Sequence, residues 1–217
     1  MKPLSQCQLY TFVDTAYLAG RSIESIAQQL CAGGSDLIQL RAKGEPIEEI
    51  QRIALRIRPI TERAEIGLVI NDHLDVALAV GAPVCHLGQE DFFDAGLTHV
   101  NQISTRGSPL KIGLSSHAPL QANRAVAAGA DYVAIGPVYP TGTKPSAKPV
   151  TLDYVRWAAT TLTLPWFAIG GITLENLHEV IAAGAQRICV VSAILNAPDI
   201  VLACQKFKRL LGSCPVS

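Results

Sequence analysis

The sequence has no surplus of charge and no long apolar run. Its 217 residues include 18 Lys and Arg against 18 Asp and Glu, and charged residues make up only 17% of the chain. A formal net charge of zero gives no general attraction to nucleic acid or to an anionic membrane surface. No uncharged apolar stretch reaches the roughly 18 residues of a membrane-spanning helix, and no signal peptide is recognisable after Met1. We therefore expect neither a nucleic-acid partner nor a membrane partner.

The chain also lacks any C-x-x-C pair, although it contains six cysteines. The cysteines are far apart in the sequence, and Cys85 and Cys189 lie inside apolar runs, where a thiol behaves as a small hydrophobic group. Disulfides or a zinc site stay open as alternatives. We predict reduced thiols in a cytoplasmic protein.

The sequence does contain a regular alternation of short apolar runs with stretches of helical spacing. Ser22 and Thr173 are candidate helix N-caps, and Gly81, Gly129 and Gly184 are candidate helix ends. The expected strands are residues 9–13, 37–40, 67–70, 84–87, 112–114, 132–135, 166–169 and 188–191. The expected helices are residues 23–31, 47–63, 74–80, 120–128, 152–161, 174–183 and 200–211, with 98–105 as the weakest candidate.

This alternation predicts the fold class. Strands that are apolar on both faces and separated by helices indicate a parallel sheet. Eight units of about 27 residues, with no additional module, favour a closed (β/α)8 barrel over an open doubly wound sheet. We predict an α/β protein with a single (β/α)8 TIM-barrel domain over residues 1–217. In such barrels the chemistry lies in the loops after the carboxyl ends of the strands.

Cationic and acidic side chains follow the second, third and fourth predicted strands. Strand alternation places Gln39, Arg41 and Lys43 on one side at the barrel mouth, where they suit an anion, although a solvated loop is the alternative. Asp72 and Asp91 follow neighbouring strands and could share Mg²⁺ bound to a diphosphate.

Two residues beside these acids have simpler interpretations. Asn71 could be an ordinary helix cap, which is the more common role for this residue type. Glu90 alternates away from Asp91 and is expected on the surface.

The later strands end in hydroxyl groups, glycines and one lysine. Ser115 suits a hydrogen bond to a ligand oxygen, whereas His117 is expected to be a cap or a surface residue. Residues 136–149 form the longest irregular stretch, typical of a binding loop, and Lys144 within it suits a phosphate-binding cation better than a Schiff base. Gly170, Gly171 and Ser192 could let a second phosphate approach the backbone. The residues thus predict a site with two anion-binding ends.

Seven motifs extend this interpretation. In the order of the chain they are Q-L-R-A-K, I-N-D-H-L-D-V-A-L, H-L-G-Q-E-D, G-L-S-S-H, G-P-V-Y-P-T-G-T-K, A-I-G-G-I-T and V-V-S-A-I. Together they resemble the thiamine phosphate synthase family in order and spacing. The resemblance implies a (β/α)8 barrel and a dissociative, magnesium-dependent transfer. An aminopyrimidinylmethyl diphosphate would be joined to a thiazole phosphate or carboxythiazole phosphate, giving thiamine phosphate and pyrophosphate.

The resemblance also implies a role for each matching residue. Asp72 and Asp91 would ligate Mg²⁺, and Arg41, Lys43, Ser115 and Lys144 would be catalytic. The pyrimidine and its diphosphate would be held by Gln39, Arg41, Lys43, Asn71, Ser115 and Lys144. The thiazole phosphate would be placed by Thr141, Thr143, Gly171, Val191 and Ser192.

Two alternatives share the barrel. The paralogous thiazole tautomerases carry a histidine at the position of Pro137 and lack the complete T-x-T-K and paired-acid pattern, so Pro137, Asp72, Asp91 and Lys144 favour the synthase. A non-catalytic thiamine-ligand sensor is the other alternative. Barrels of this kind often pair, so a homo-oligomer is a further expectation, with no surface patch assignable to its interface.

Overall fold

The computed structural model describes residues 1–103, 110–142 and 148–212 and confirms the predicted barrel. Eight parallel strands follow one another in chain order, and β8 pairs with β1 to close the sheet. The strands are β1 Leu9–Asp14, β2 Leu37–Arg41, β3 Gly67–Asn71, β4 Val84–Leu87, β5 Lys111–Ser116, β6 Tyr132–Ile135, β7 Trp166–Ile169 and β8 Ile188–Cys189.

Nine α-helices lie in the described ranges, most of them between consecutive strands. They are α1 Ile23–Ala32, α2 Ile47–Arg63, α3 Leu74–Ala79, α4 Gln89–Asp94, α5 Pro119–Ala127, α6 Thr151–Thr161, α7 Leu177–Ala182, α8 Ser192–Leu195 and α9 Ile200–Gly212. Short 3₁₀ turns occupy Leu4–Gln6, Thr15–Tyr17 and Val100–Gln102. None of the helices in these ranges is long and apolar enough to cross a membrane.

The core has an outer layer between helices and strands and an inner layer inside the barrel. In the outer layer, α2 buries Ile50, Ile53 and Ile57, which recur at helical spacing. In the inner layer, Tyr10 and Tyr132 each meet Phe167 edge-on, with ring centroids 5.5 and 5.4 Å apart. Aromatic side chains therefore pack together inside the barrel, below its mouth.

Helix ends follow the sequence signals with one exception. The Ser22 hydroxyl accepts a hydrogen bond from the Ser25 amide, as expected of an N-cap. Gly81, Gly129 and Gly184 all have positive φ, as expected of residues that end helices. The Thr173 prediction is wrong, because α7 begins only at Leu177 and the Thr173 amide instead donates to the Asn176 side chain.

The connection between β4 and β5 also differs from the prediction. The expected helix over 98–105 is a 3₁₀ turn over Val100–Gln102 where the structure describes it, and α4 lies earlier. Helix α4 is stabilised by Phe92, which is buried, and by Phe93, whose ring lies 3.5 Å from the guanidinium carbon of Arg124. Its six residues span less than two turns, so its helical periodicity is weak in the sequence.

An ion-pair network closes the end of the barrel opposite the mouth. The Asp36 carboxylate lies 2.6 Å from Lys2 Nζ and 2.8 Å from Lys208 Nζ. It also accepts hydrogen bonds from the amides of Gln8 and Leu9. Burial alone would raise the pKa of Asp36, but these hydrogen bonds outweigh it and lower that pKa. Asp36 therefore joins β2 to the amino-terminal segment and to α9.

The two tryptophans of the chain pack in the outer part of the fold. Trp166 is buried at the start of β7, and Trp157 on α6 stacks on Tyr154, with ring centroids 5.5 Å apart. The Tyr154 hydroxyl in turn donates to the Ala118 carbonyl and contacts the Ser116 hydroxyl.

Candidate active site

A cavity opens at the carboxyl ends of the strands, where the barrel fold predicts the chemistry. Eleven of the thirteen predicted site residues line it, and the other two, Thr143 and Lys144, lie outside the described residues. The eleven are Gln39, Arg41, Lys43, Asn71, Asp72, Asp91, Ser115, Thr141, Gly171, Val191 and Ser192. Residues 150 positions apart in the chain therefore share one cavity.

Arg41 is held in the cavity wall by a buried carboxylate. Asp14 ends β1 directly opposite Arg41 at the end of β2, so the parallel register brings the two side chains together. Arg41 Nη1 donates to Asp14 Oδ2 at 2.7 Å, and Asp14 Oδ1 accepts from the Ala16 amide at 3.0 Å. Asp14 is only 1% exposed, whereas Arg41 reaches the cavity. The pair fixes the direction from which the guanidinium meets an anion.

A second cation lies beside the end of β3. Lys43 Nζ is 3.9 Å from Asp72 Oδ2, and the Lys43 side chain is 61% exposed at the cavity mouth. Asn71 Nδ2 donates to the same Asp72 oxygen at 2.6 Å. Asp72 has φ +63°, a backbone conformation that turns the chain sharply at the end of the strand. Asn71 lines the cavity. The helix-cap alternative is wrong for Asn71, because the N-cap of α3 is His73.

The second acidic residue comes from the first turn of α4. The Asp91 side chain lies over Gly88, where an added Cβ would be 2.3 Å from Asp91 Oδ2. Glu90 is exposed as predicted but also lines the cavity, so its assignment to the outer surface alone is wrong. Glu90 reaches the cavity because it lies with Asp91 in the first turn of α4, at the mouth.

The acids supply hard oxygen donors but no complete metal cage. In the parts of the chain that the structure describes, no three His, Cys, Asp or Glu side chains are gathered closely enough to hold a metal ion. Mg²⁺ normally takes one or two protein carboxylates and completes its shell with water and substrate phosphates. Two carboxylates at the rim of an open cavity fit that donor pattern.

Below the mouth, four side chains form a continuous series of hydrogen bonds. Gln39 Nε2 donates to the Tyr10 hydroxyl at 2.6 Å. The hydroxyls of Tyr10 and Tyr132 are 3.1 Å apart, and the Tyr132 hydroxyl is 3.0 Å from His86 Nδ1. Burial lowers the pKa of His86 to about 4, partly opposed by Asp72. Burial also raises the pKa values of Tyr10 and Tyr132 well above 10. The series is therefore uncharged at neutral pH.

The ends of β5 and β6 add a hydroxyl and an imidazole. The Ser115 hydroxyl lines the cavity and accepts a hydrogen bond from the Gln89 amide at 3.2 Å. His117 also lines the cavity, and its Nδ1 contacts the Gly136 carbonyl. The prediction of a cap or surface residue is wrong for His117, because this contact holds the imidazole against the end of β6.

Glycines form the wall next to β7 and β8. Gly170 and Gly171 have φ values of +103° and +63°, and Gly171 packs so closely that a Cβ would lie 2.6 Å from the Pro140 carbonyl oxygen. Val191 and Ser192 follow β8, and Ser192 begins α8. Without side chains at Gly170 and Gly171, a ligand can approach the backbone of this wall.

Several cavity residues were not predicted from the sequence. Tyr10 and Phe12 alternate with Asp14 along β1, so the two-residue period of a strand could have placed all three on one face. His86 is an imidazole inside an otherwise apolar strand, which is a signal for an inward-facing polar residue. The remaining cavity residues include Ala134, Pro137, Ile169, Ile172, Cys189 and Val190.

Comparisons with known proteins agree with this architecture. Residues 9–194 match the TMP-TENI family model, described as thiamine monophosphate synthase. A thiamine-phosphate synthase of Gloeobacter violaceus is 48% identical over 174 residues, which are 80% of this chain but only 50% of that protein. A thiamine-phosphate synthase of Lawsonia intracellularis is 37% identical over 204 residues, which are 94% of this chain and 92% of that protein.

A solved structure extends the similarity to three dimensions. A thiamine phosphate pyrophosphorylase from Pyrococcus furiosus matches with a TM-score of 0.85 and 28% identity, over 97% of this chain and 98% of the other. Family model, full-length relatives and fold therefore agree. The chain belongs to the thiamine monophosphate synthase family of thiamine-biosynthesis transferases.

Proposed function

We propose that this enzyme joins 4-amino-2-methyl-5-pyrimidinylmethyl diphosphate to a thiazole phosphate or carboxythiazole phosphate and releases pyrophosphate. The observation that carries the proposal is one cavity lined by cations on one side and by glycines and a hydroxyl on another. Arg41 and Lys43 line it at the end of β2, and Gly171 and Ser192 line it after β7 and β8. This separation suits one substrate with a diphosphate and another with a monophosphate.

The proposed reaction is dissociative. The C–O bond between the pyrimidinylmethyl carbon and the diphosphate breaks first, and its electron pair leaves with pyrophosphate. The thiazole nitrogen then donates its lone pair to the resulting cation and forms the new C–N bond. Arg41, Lys43 and Lys144 would stabilise the negative charge that develops on the leaving group, and the Ser115 hydroxyl would donate to one of its oxygens. No protein nucleophile is required.

Mg²⁺ is the cofactor that we propose for this site. Asp72 and Asp91 would hold it, because both are carboxylates at the cavity mouth. When bound, the ion would neutralise charge on the diphosphate and its leaving group. Lys43, 3.9 Å from Asp72, would then meet the same diphosphate from the β2 side.

Incubation of both substrates with the enzyme, with and without Mg²⁺, tests the proposal. We expect thiamine phosphate and pyrophosphate in equal amounts only when Mg²⁺ is present. Failure to form thiamine phosphate with Mg²⁺ would contradict the synthase assignment. Isomerisation of the thiazole alone would identify a tautomerase, and ligand binding without turnover would identify a sensor.

The location and the assembly of the protein stay predictions. The five cysteines in the described ranges are free thiols, which is consistent with the reducing cytoplasm that we predict. Cell fractionation would measure the location, and light scattering during gel filtration would measure the number of subunits.

A further inference from the structure

In the hydrogen-bonded series Gln39–Tyr10–Tyr132–His86, the donor groups available decide which residue donates and which accepts at each step. A phenol carries one proton, so a tyrosine that accepts from one neighbour can donate to the next. Gln39 Nε2 donates to the Tyr10 oxygen, which leaves the Tyr10 proton for the Tyr132 oxygen 3.1 Å away. The Tyr132 proton is then directed to His86 Nδ1, 3.0 Å away.

This direction determines what the two ends of the series offer to the cavity. Gln39 uses its amide nitrogen inside the series, so its Oε1 is the amide atom left to accept a hydrogen bond from a ligand. His86 accepts at Nδ1, so in the neutral imidazole the proton is on Nε2. Both Gln39 and His86 line the cavity. The floor of the cavity thus combines one acceptor with one donor.

Tyr132 is the member of the series that lies between Tyr10 and His86. It is fully buried, and its ring occupies the space beside Gly113, where an added Cβ would lie 2.0 Å from Tyr132 Cζ. Its ring also contacts Tyr10 and Phe167 edge-on. Tyr132 does not line the cavity, so it can act on a ligand only through Tyr10 and His86.

We propose that Tyr132 is a positioning residue that selects an aminopyrimidine by holding Gln39 Oε1 as an acceptor and His86 Nε2–H as a donor. The inference rests on the proposed function. The exocyclic amine of the substrate would donate to Gln39, and a ring nitrogen would accept from His86. The 4-oxo analogue presents the opposite pattern, a carbonyl acceptor beside a ring N–H donor. It is disfavoured because its carbonyl would face the acceptor Gln39 Oε1 and its N–H would face the donor His86 Nε2–H.

Nitrogen-15 NMR of the ligand-free enzyme tests the direction of the series without any assay of activity. The two nitrogens of a neutral imidazole differ strongly in chemical shift, and His86→Gln identifies the resonances of His86. We expect the wild-type His86 to carry its proton on Nε2. Tyr132→Phe should give a mixture of the two tautomers, because the directing proton is lost.

Tyr154→Phe is the matched control. It also removes a buried tyrosine hydroxyl with two hydrogen-bond partners, but it lies outside the cavity. We expect its His86 spectrum to match the wild type. A proton on Nδ1 in the wild type would overturn the inference, as would an unchanged single tautomer in Tyr132→Phe.

Selectivity supplies the second measurement. The ratio of kcat/KM for the aminopyrimidine diphosphate to that for its 4-oxo analogue should fall roughly tenfold in Tyr132→Phe, corresponding to one mismatched buried hydrogen bond. The ratio should not change in Tyr154→Phe. An unchanged ratio in Tyr132→Phe would overturn the inference. Absence of thiamine phosphate with the wild type would instead contradict the proposed function, and the tautomer measurement would still stand.

Discussion

At the scale of single residues, the pair Asp14–Arg41 shows how a buried carboxylate can orient a partly buried guanidinium at the cavity wall. Asp14 is nearly inaccessible, yet it fixes Arg41 through a 2.7 Å hydrogen bond at the cavity wall. A guanidinium that is already oriented loses less side-chain freedom when it binds phosphate oxygens. Asp14 is therefore expected to matter for turnover although it does not itself line the cavity.

We expect Asp14→Asn to lower kcat/KM roughly tenfold to a hundredfold, because a charge-assisted hydrogen bond of about 1.5–3 kcal/mol is weakened. Asn keeps an oxygen that can accept from the Ala16 amide, so the local turn should persist. Steady-state kinetics for both substrates measures the effect. Unchanged kinetics with the variant would show that Arg41 does not depend on Asp14.

The metal assignment is tested at Asp91. We expect Asp91→Ala to lose Mg²⁺-dependent turnover by at least about a hundredfold, since half of the proposed carboxylate ligands disappear. Asp94→Ala is the matched control, because Asp94 ends the same helix, is exposed and does not line the cavity. Mg²⁺ titrations of activity should therefore shift for Asp91→Ala and not for Asp94→Ala. Full activity in Asp91→Ala would mean that the ligands lie elsewhere.

The residues of the site could be predicted from sequence where side chains of unusual type follow an apolar strand. Arg41, Lys43 and Asp72 stand out for that reason, and the structure places all three at one cavity. Tyr10 and Tyr132 could not be separated from core residues, because a phenol in an apolar run signals burial as strongly as it signals a hydrogen-bonded series. Their partners belong to other strands, and only the closed barrel brings these together.

At the scale of elements, the β7–α7 turn and the loop after β6 support one another. The amides of Val138 and Tyr139 donate to the carbonyls of Ile169 and Gly170 at 2.9 and 3.0 Å. The Tyr139 hydroxyl also donates to Glu179 on α7 at 2.9 Å. The two segments therefore form one wall of the cavity, and a change in either should affect the same ligand.

Gly171 is one of the positions at which these two segments pack closely. We expect Gly171→Ala to raise KM for the thiazole phosphate roughly tenfold, because a Cβ would lie 2.7 Å from Tyr139 Cβ and displace the wall. KM for the pyrimidine diphosphate should change much less. Gly96→Ala is the control for backbone strain alone, because Gly96 also has positive φ but has nothing within 4 Å of its Cβ position. It strains the backbone without displacing a neighbouring group. Equal effects of Gly96→Ala and Gly171→Ala on KM would contradict the assignment.

The elements themselves were predictable to different degrees. Helix α2 occupies the predicted range of 47–63 because its apolar residues recur at helical spacing over 17 positions. Helices α4 and α8 contain six and four residues and were not predicted, because less than two turns gives only a weak periodic signal. Helix α3 also has six residues but falls in the predicted range of 74–80. The positions of α4 and α8 depend on packing against the barrel, as the buried Phe92 shows for α4.

At the scale of the whole molecule, the barrel has the cavity at one end and the Asp36 ion-pair network at the other. At the cavity Arg41 is paired with Asp14 and Lys43 lies 3.9 Å from Asp72, whereas at the other end Lys2 and Lys208 are both paired with Asp36. The zero formal net charge of the chain is therefore the sum of local groups of opposite charge at both ends of the barrel.

We expect Asp36→Asn to reduce the free energy of unfolding by about 1–3 kcal/mol at pH 7, because hydrogen bonds to a buried charge are lost. The pKa of Asp36 is lowered in the folded state, so its contribution is present above its ordinary pKa of 3.8 and is lost as pH falls through the lowered value. Urea unfolding of wild type and variant should therefore converge below about pH 4. Asp153→Asn, at an exposed pair with Arg156, should change stability by less than about 0.5 kcal/mol. A pH-independent difference for Asp36→Asn would contradict the linkage.

The positions of Trp157 and Trp166 provide an optical probe of this molecule. Neither residue lines the cavity, and both pack in the layer between helices and strands. Tryptophan emission should therefore report unfolding of the barrel and remain nearly silent when a ligand binds. Tyr10, which lines the cavity, and Tyr132, which is hydrogen-bonded to it, should dominate any ultraviolet difference spectrum that binding produces. Folding and ligand binding can thus be followed separately in the same sample, without a label.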